Sequence, residues 1–269
     1  MNAPESKVAV EPYLLQSRDA HGVVTLTLNR PQQFNALSTE MMSALQAAVD
    51  EIAQDASARV VVLAGAGKAF CAGHDLKQMK ESPSLESYRA LFSQCAKLML
   101  TIQRMPQPVI ARVHGVATAA GCQLVATCDL AVAVEGARFG VSGINVGLFC
   151  TTPGVALARN VSRKDAFEML VTGDLIDAAT ARERGLVNRV VPAEQLDEEI
   201  AKLASSIAAK PAVAVAMGKE MFYRQVEAGI EAAYQMAGQT MACNLVDPAA
   251  QEGIDAFMAK RKPNWAPPG

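Results

Sequence analysis

The chain has 269 residues, 51% of them apolar, with a formal net charge of −2 and a pI near 6. That is enough apolar material for one large domain, or for one domain with an appendage. No long basic stretch argues for nucleic acid or an anionic membrane as partner, and no apolar run is long enough to span a bilayer.

Met1 to Glu11 carries one lysine, two glutamates and no apolar run, so it reads as neither a signal peptide nor an Arg-rich transit peptide. Residues 1–12 are therefore expected to be a disordered leader, and the protein is expected to be cytoplasmic. Cys71, Cys95, Cys122, Cys128, Cys150 and Cys243 form no C-x-x-C pair and have no histidine cluster beside them. Zinc and redox motifs are thus not indicated, and reduced intracellular thiols are expected.

Along the chain, alternating Val24, Leu26 and Leu28 predict a strand within 21–29. Ser38 is placed to cap a helix running to about Gln54, with Met41, Leu45, Ala48, Val49 and Ile52 at helical spacing. Val60 to Leu63 is a short buried strand, punctuated by Ala64-Gly65-Ala66-Gly67. A loop at Glu81–Ser84 precedes a helix from about Leu85 to Arg104, which Pro106 and Pro108 end. Val109–Val113 and Leu130–Val134 read as further buried strands. Strands alternating with helices imply an α/β core with crossover connections. After Val191-Pro192 the pattern becomes helical throughout. The boundary is soft, near 192–210. The expected division is a core over 13–200 and a helical region over 201–269, whose apolar faces need a partner.

Two segments are candidates for the chemistry. In Lys68 to Met79, small residues around Cys71-Ala72-Gly73-His74 let the backbone approach a ligand, with the His74 N–H directed into a pocket. In His114 to Leu124, Ala119, Ala120 and Gly121 do the same at the start of a helix, where N–H groups are unpaired. Two such donors aimed at one point make an oxyanion hole. Read singly, each segment is more often a packing turn.

Taken together, these residues resemble the crotonase, or enoyl-CoA hydratase/isomerase, superfamily over nearly the whole chain. The matching segments are Leu28-Asn29-Arg30-Pro31 with Phe34-Asn35-Ala36-Leu37, then AFCAGHDL at 69–76, and HGVATAAGCQL at 114–124. They continue with Phe139-Gly140 and Val146-Gly147, LVTGDLIDAATARERGLVNRVVP at 170–192, and EGIDAFMAKRKPNW at 252–265. AAGCQLVATCDLAVA, NVGLFCTTPGVALAR and KRKPNW bring the resemblance closest to the enoyl-CoA hydratase domain-containing protein 3 subgroup.

The resemblance implies an α/β fold of repeated ββα units with a C-terminal helical trimerisation region, assembled as a trimer or a hexamer of paired trimers. It implies an acyl-CoA thioester as ligand, with coenzyme A as part of the substrate and no other cofactor. The His74 and Ala120 N–H groups would hold the thioester oxygen, with Gly121 as neighbour. Ala36, between Phe34 and Leu37, would meet coenzyme A through its backbone. Ala72, Asp75, Leu76, Ala119, Ser142, Val146 and Gly147 would border the substrate. Phe257 and Lys260 would line the coenzyme A site, from a neighbouring subunit.

Two positions depart from the family pattern. Where the hydratases carry two catalytic glutamates, this chain has Gln123 and Gly143. A glutamine holds a water but takes no proton near neutral pH, and a glycine supplies no side chain. Loss of general acid–base help costs on the order of 10²–10⁴ in rate. Plain hydration is therefore expected to be poor. Of the possible substitutes, Asn145, Cys150, Thr151 and Thr152 follow the second gap. Cys150 is read as buried and inert, Asp75 and His114 as structural, and Asp129 as bracing its strand. The ring of His74 is a possible base. The expected activity is that of a lyase or isomerase of acyl-CoA metabolism. A hydratase with an unrecognised acid–base pair and a non-catalytic binding protein are the alternatives.

Overall fold

The computed structural model describes residues 11–265. Most of the expected leader, residues 1–10, lies outside that range. The chain opens with a hairpin, β1 (Leu14–Arg18) and β2 (Val23–Leu28), followed by helix α1 (Thr39–Gln54). Ser38 caps α1 by accepting from the Met41 N–H, as its position predicts.

The body is a repeat. Strand β3 (Val60–Gly65) is followed by β4 (Ala69–Cys71) and the helices α2 (Leu76–Glu81) and α3 (Leu85–Arg104). Strand β5 (Val109–Val113) is followed by β6 (Val116–Thr118) and α4 (Ala120–Thr127). Strand β7 (Leu130–Val134) is followed by β8 (Arg138–Gly140), a short 3-10 turn at Ser142–Val146 and α5 (Thr151–Leu157). After α6 (Arg163–Thr172), β9 (Ile176–Asp177), α7 (Ala178–Glu183) and β10 (Arg189–Val191), the remaining elements are helices. These are α8 (Leu196–Ala208), α9 (Ala212–Gln225), α10 (Ile230–Leu245) and α11 (Pro248–Met258).

The first strand of each unit enters a six-stranded sheet of order β1-β2-β3-β5-β7-β10, parallel except for the β1–β2 hairpin. The second strand enters a four-stranded sheet of order β4-β6-β8-β9, in which β4, β6 and β8 are parallel neighbours. Every residue of β3 is buried, as befits a central parallel strand covered on both faces. Helix α8 lies across β2, β3, β5 and β7. This is the ββα architecture expected from the resemblance. Strands β4, β6 and β8 have three residues each, too short to show an alternation, and were not separately legible in the sequence.

One buried ionic cluster ties the C-terminal helices to the core. Lys219 of α9 donates to Asp129 Oδ2 at 2.7 Å and to the carbonyls of Ile102 and Gln107 at 2.9 Å. Tyr223 donates to Asp129 Oδ1 at 2.8 Å, and the Val109 N–H donates to Oδ2 at 2.6 Å. Asp129 therefore braces the neighbouring strand β5, and it anchors α9 as well. All three ammonium protons find acceptors and both carboxylate oxygens accept, the condition under which a buried charge is tolerated. Beyond this tie the helices expose large apolar side chains: Phe222, Val226, Ile230, Tyr234, Met241, Phe257 and Met258. Among the described residues, no single helix is long and apolar enough to cross a membrane.

Candidate active site

The turns leaving β4, β6 and β8 stack beside one another, because their strands are adjacent in the small sheet. The first turn holds Ala72, Gly73 and His74. Gly73 has φ +94°, and a Cβ there would stand 2.8 Å from the Ala119 Cβ and 3.2 Å from the Ala120 nitrogen. Only glycine meets both demands. His74 forms a parallel bridge with Leu37: the Leu37 N–H donates to the Gly73 carbonyl at 2.7 Å, and the Asp75 N–H donates to the Leu37 carbonyl at 3.4 Å. A parallel bridge uses the groups on either side of its central residue. The N–H of His74 therefore faces away from Leu37, and it meets no acceptor among the described residues.

The second turn passes through Ala119, held at φ 49°, ψ −120°, a backbone region that non-glycine residues rarely enter. The Ala119 N–H donates to the Gly140 carbonyl of the third turn at 2.9 Å. Ala120 is the first residue of α4, so its N–H has no intrahelical acceptor and finds none elsewhere among the described residues. At Gly121 an added Cβ would overlap the Cys71 carbonyl oxygen, which fixes α4 tightly against the end of β4. The N–H groups of His74 and Ala120, both without an acceptor among the described residues, thus stand on touching segments.

The third turn holds Ser142 and Gly143. The Gly143 N–H donates to Cys150 Sγ at 3.3 Å. A Cβ on Gly143 would lie 2.5 Å from the Leu148 carbonyl oxygen and 2.6 Å from Cys150 Sγ. The space of a side chain at 143 is already filled. Gln123, on α4, is 5% exposed, with Oε1 4.0 Å from Cys95 Sγ on α3.

The His74 ring is largely buried. Nδ1 lies 3.4 Å from the Leu37 carbonyl, and the ring packs edge-on against Phe92 of α3, centroids 5.6 Å apart. A carbonyl only accepts, so Nδ1 carries the proton of the neutral ring and Nε2 is a bare lone pair. Nε2 is sealed from solvent and has no partner among the described residues. Burial holds the imidazole below its ordinary pKa, opposed in part by the bond to Leu37.

The remaining expected residues fall into two groups. Ala72 donates to the Phe34 carbonyl at 3.0 Å, which joins the Phe34–Leu37 turn to the site. Within that turn the Ala36 N–H is used by the Gln33 carbonyl, while the Ala36 carbonyl accepts from Ser38. Phe34 and Leu76 are exposed. Asp75 caps α2 by accepting from the Lys77 and Gln78 N–H groups, the structural role expected of it. Val146 and Gly147 lie on the outer, exposed side of their turn. Phe257 is 83% exposed at the end of α11, and Lys260 follows it at φ 51°. Helix α11 packs against α10, away from the stacked turns.

The thiols carry no visible chemistry. Burial pushes Cys71, Cys95 and Cys122 up to about 12, and raises Cys150 as well. Cys150 is thus the buried group expected. His114 Nε2 lies 2.9 Å from the Gly67 carbonyl, which fits the structural role expected of it.

Asn35 was missed as a site residue. It is fully buried at φ 55°, accepts from the Arg30 N–H, and donates to the carbonyls of Ala66, Ala69 and Phe70. One side chain therefore fastens the Phe34–Leu37 turn to β4. The signal was present, since asparagine is enriched in left-handed backbone and in side-chain-to-backbone turns.

Comparison with known proteins gives the family and the fold. A family model described as enoyl-CoA hydratase/isomerase matches residues 18–268. The rat enoyl-CoA hydratase domain-containing protein 3 is 43% identical over 263 residues, 98% of this chain and 86% of that protein. A crystal structure of an enoyl-CoA hydratase from Mycobacterium smegmatis superposes with a TM-score of 0.94 at 65% identity, covering 95% of this chain and 99% of the other. The human enoyl-CoA hydratase domain-containing protein 3 superposes with a TM-score of 0.91 at 43% identity, covering 94% and 100%. The cytoplasmic expectation is corrected here: the similar rat, frog and human proteins are named mitochondrial. That expectation leaned on N-terminal residues outside those described.

Proposed function

The chain belongs to the enoyl-CoA hydratase/isomerase family, and on that premise we propose that it binds an acyl-CoA thioester and polarises its carbonyl between the N–H groups of His74 and Ala120. The observation that carries this reading is the pair of unpaired N–H donors on touching, glycine-dependent turns. Donors fixed before the reaction stabilise an oxygen that gains charge, and they need no reorganisation to do so. The reaction is one that proceeds through an enolate-like oxyanion rather than efficient hydration of a double bond. Gln123 takes no proton, and position 143 has neither a side chain nor room for one. Coenzyme A is part of the substrate, and a homotrimer, alone or paired, is the proposed assembly. The exposed apolar faces of α9 to α11 support it, and so does the placing of Phe257 away from the site of its own chain.

A purified-protein time course with a panel of acyl-CoAs, read by mass spectrometry, tests the reading. Turnover of some thioester other than crotonyl-CoA is expected, with a loss of about 10²–10³ in rate in Ala120→Pro, which deletes one donor. Hydration of crotonyl-CoA at an ordinary enzyme rate would contradict the argument from the two missing carboxylates. Binding of the esters without turnover of any of them would favour a non-catalytic acyl-CoA-binding role, for which the filled space at Gly143 already speaks.

A further inference from the structure

We infer that the imidazole of His74, through Nε2, is the base that takes the proton from the α-carbon of the bound acyl thioester. This rests on the proposed placing of the thioester oxygen at the His74 and Ala120 N–H groups. A second residue is then unnecessary, because one residue supplies both a donor to the oxygen and an acceptor for the neighbouring proton.

Three observations converge on Nε2. First, a buried acceptor without a donor is uncommon in folded proteins and costs about 1–3 kcal/mol when left so. Nε2 is such an acceptor. Second, the Leu37 carbonyl, 3.4 Å from Nδ1, favours the proton on that nitrogen, which leaves Nε2 as the basic one. Third, the ring lies against Phe92, and Cys95, one turn further along α3, faces Gln123. His74 and the first vacated carboxylate position therefore look onto the same stretch of helix. The half-buried Phe92 ring packs edge-on against the imidazole, so for the step to occur an acyl chain has to displace part of this wall to reach Nε2.

The other ionisable groups on this wall are committed elsewhere. The Asp75 carboxylate caps α2, Glu40 of α1 accepts from Gln78, and Tyr88 of α3 donates to the Met79 carbonyl. Cys71 and Cys95 are thiols that burial keeps protonated. His74 alone on this wall is a neutral base near pH 7.

The step balances without any further reactant. The α-proton forms a bond to Nε2. The C–H electron pair becomes the carbon–carbon double bond of the enolate, and the carbonyl π pair moves onto oxygen, where the two N–H groups hold it. Return of a proton from the imidazolium to carbon restores the thioester. In D₂O the returning proton is replaced by deuterium, so the step is visible on a saturated thioester that has no other reaction to undergo.

The test uses the full chain with butyryl-CoA in D₂O, with incorporation at the α-carbon followed by mass spectrometry and binding by calorimetry. The wild type is expected to incorporate deuterium, and His74→Gln to lose about 10²–10⁴ of that rate while its dissociation constant stays within about threefold. The wild-type rate is expected to fall on a single acidic limb below pH 6.5, with that limb gone in the variant. Binding with no incorporation, or equal incorporation by His74→Gln, overturns the inference and leaves the acyl-CoA reading standing. Absence of any butyryl-CoA binding overturns both. Should His74→Gln fail to fold, His74→Asn and the pH limb of the wild type decide the matter.

Discussion

The turns at Gly73–His74 and Ala119–Gly121 differ in kind from the turn at Ser142–Val146. In the first two the proposed chemistry lies in backbone N–H groups, and the sequence is restricted by what would collide: a Cβ at Gly73 or Gly121 strikes the neighbouring turn. In the third there is no side chain at Gly143, and Leu148 and Cys150 occupy the room a Cβ would need. Backbone donors are held by packing that the fold itself requires, whereas a side-chain group at this turn would have to be accommodated in addition.

The largest expected effect is at Gly121. Gly121→Ala should cost about 3 kcal/mol or more, at or above the usual range for overpacking, because the obstacle is the Cys71 backbone carbonyl rather than a movable side chain. Chemical denaturation measures it, and a loss below about 1 kcal/mol would remove the collision from the comparison. Gly136→Ala meets nothing and has an ordinary φ, so it should be near neutral under the same assay.

The Asp129–Lys219 tie comes next. Lys219→Met leaves the Asp129 carboxylate without its cation and should cost about 3 kcal/mol, the low end for a broken buried pair, because Tyr223 and the Val109 N–H still donate to it. Adding Asp129→Asn should recover part of that loss, and the cycle measures the coupling. The effect should fall on stability, with binding of acyl-CoA intact in the folded fraction.

Third, Gln123→Glu should not create a crotonyl-CoA hydratase, because position 143 still carries no carboxylate. Gly143→Glu should lower stability by about 1–3 kcal/mol, since its Cβ meets Leu148 and Cys150. Efficient hydration by the double variant would show the third turn to be as open as the other two.

The smallest effect is on pH. His74 and His114 both have folded pKa values held below the ordinary 6.5 by burial. Below pH 6.5 the unfolded chain binds protons before the folded one does, so the histidine contribution is complete above 6.5 and is lost as the pH falls toward the folded values. The melting temperature should drop between pH 7 and 5.5, and His74→Gln should flatten the slope.

Much of this was legible in the sequence for physical reasons. Helix α3 is bounded by a capping Ser84 and by Pro106 and Pro108, and its apolar period runs unbroken, so both ends could be read. The small residues at 73 and 119–121 announced close backbone approach. What could not be read depended on direction or on distant partners. Nothing local tells that the His74 N–H is left over by a bridge to Leu37, or that Cys150 occupies the room beside Gly143. Lys219 reads as a surface cation until its three partners elsewhere in the chain are known.

The adjacency of β4, β6 and β8 has one more consequence. His74, Ala120 and Gly143 follow the second strand of three successive units, so the candidate site is a product of tandem repetition, with its turns locked to one another by close backbone contacts. The segment from α2 through α3 joins the first copy to the second as a long excursion, whose inner face is fixed by buried Leu91, Cys95, Leu98, Met99 and Ile102. On the proposed reading, substitutions on the rest of this excursion would alter the acyl wall while the pair of donors stays in register.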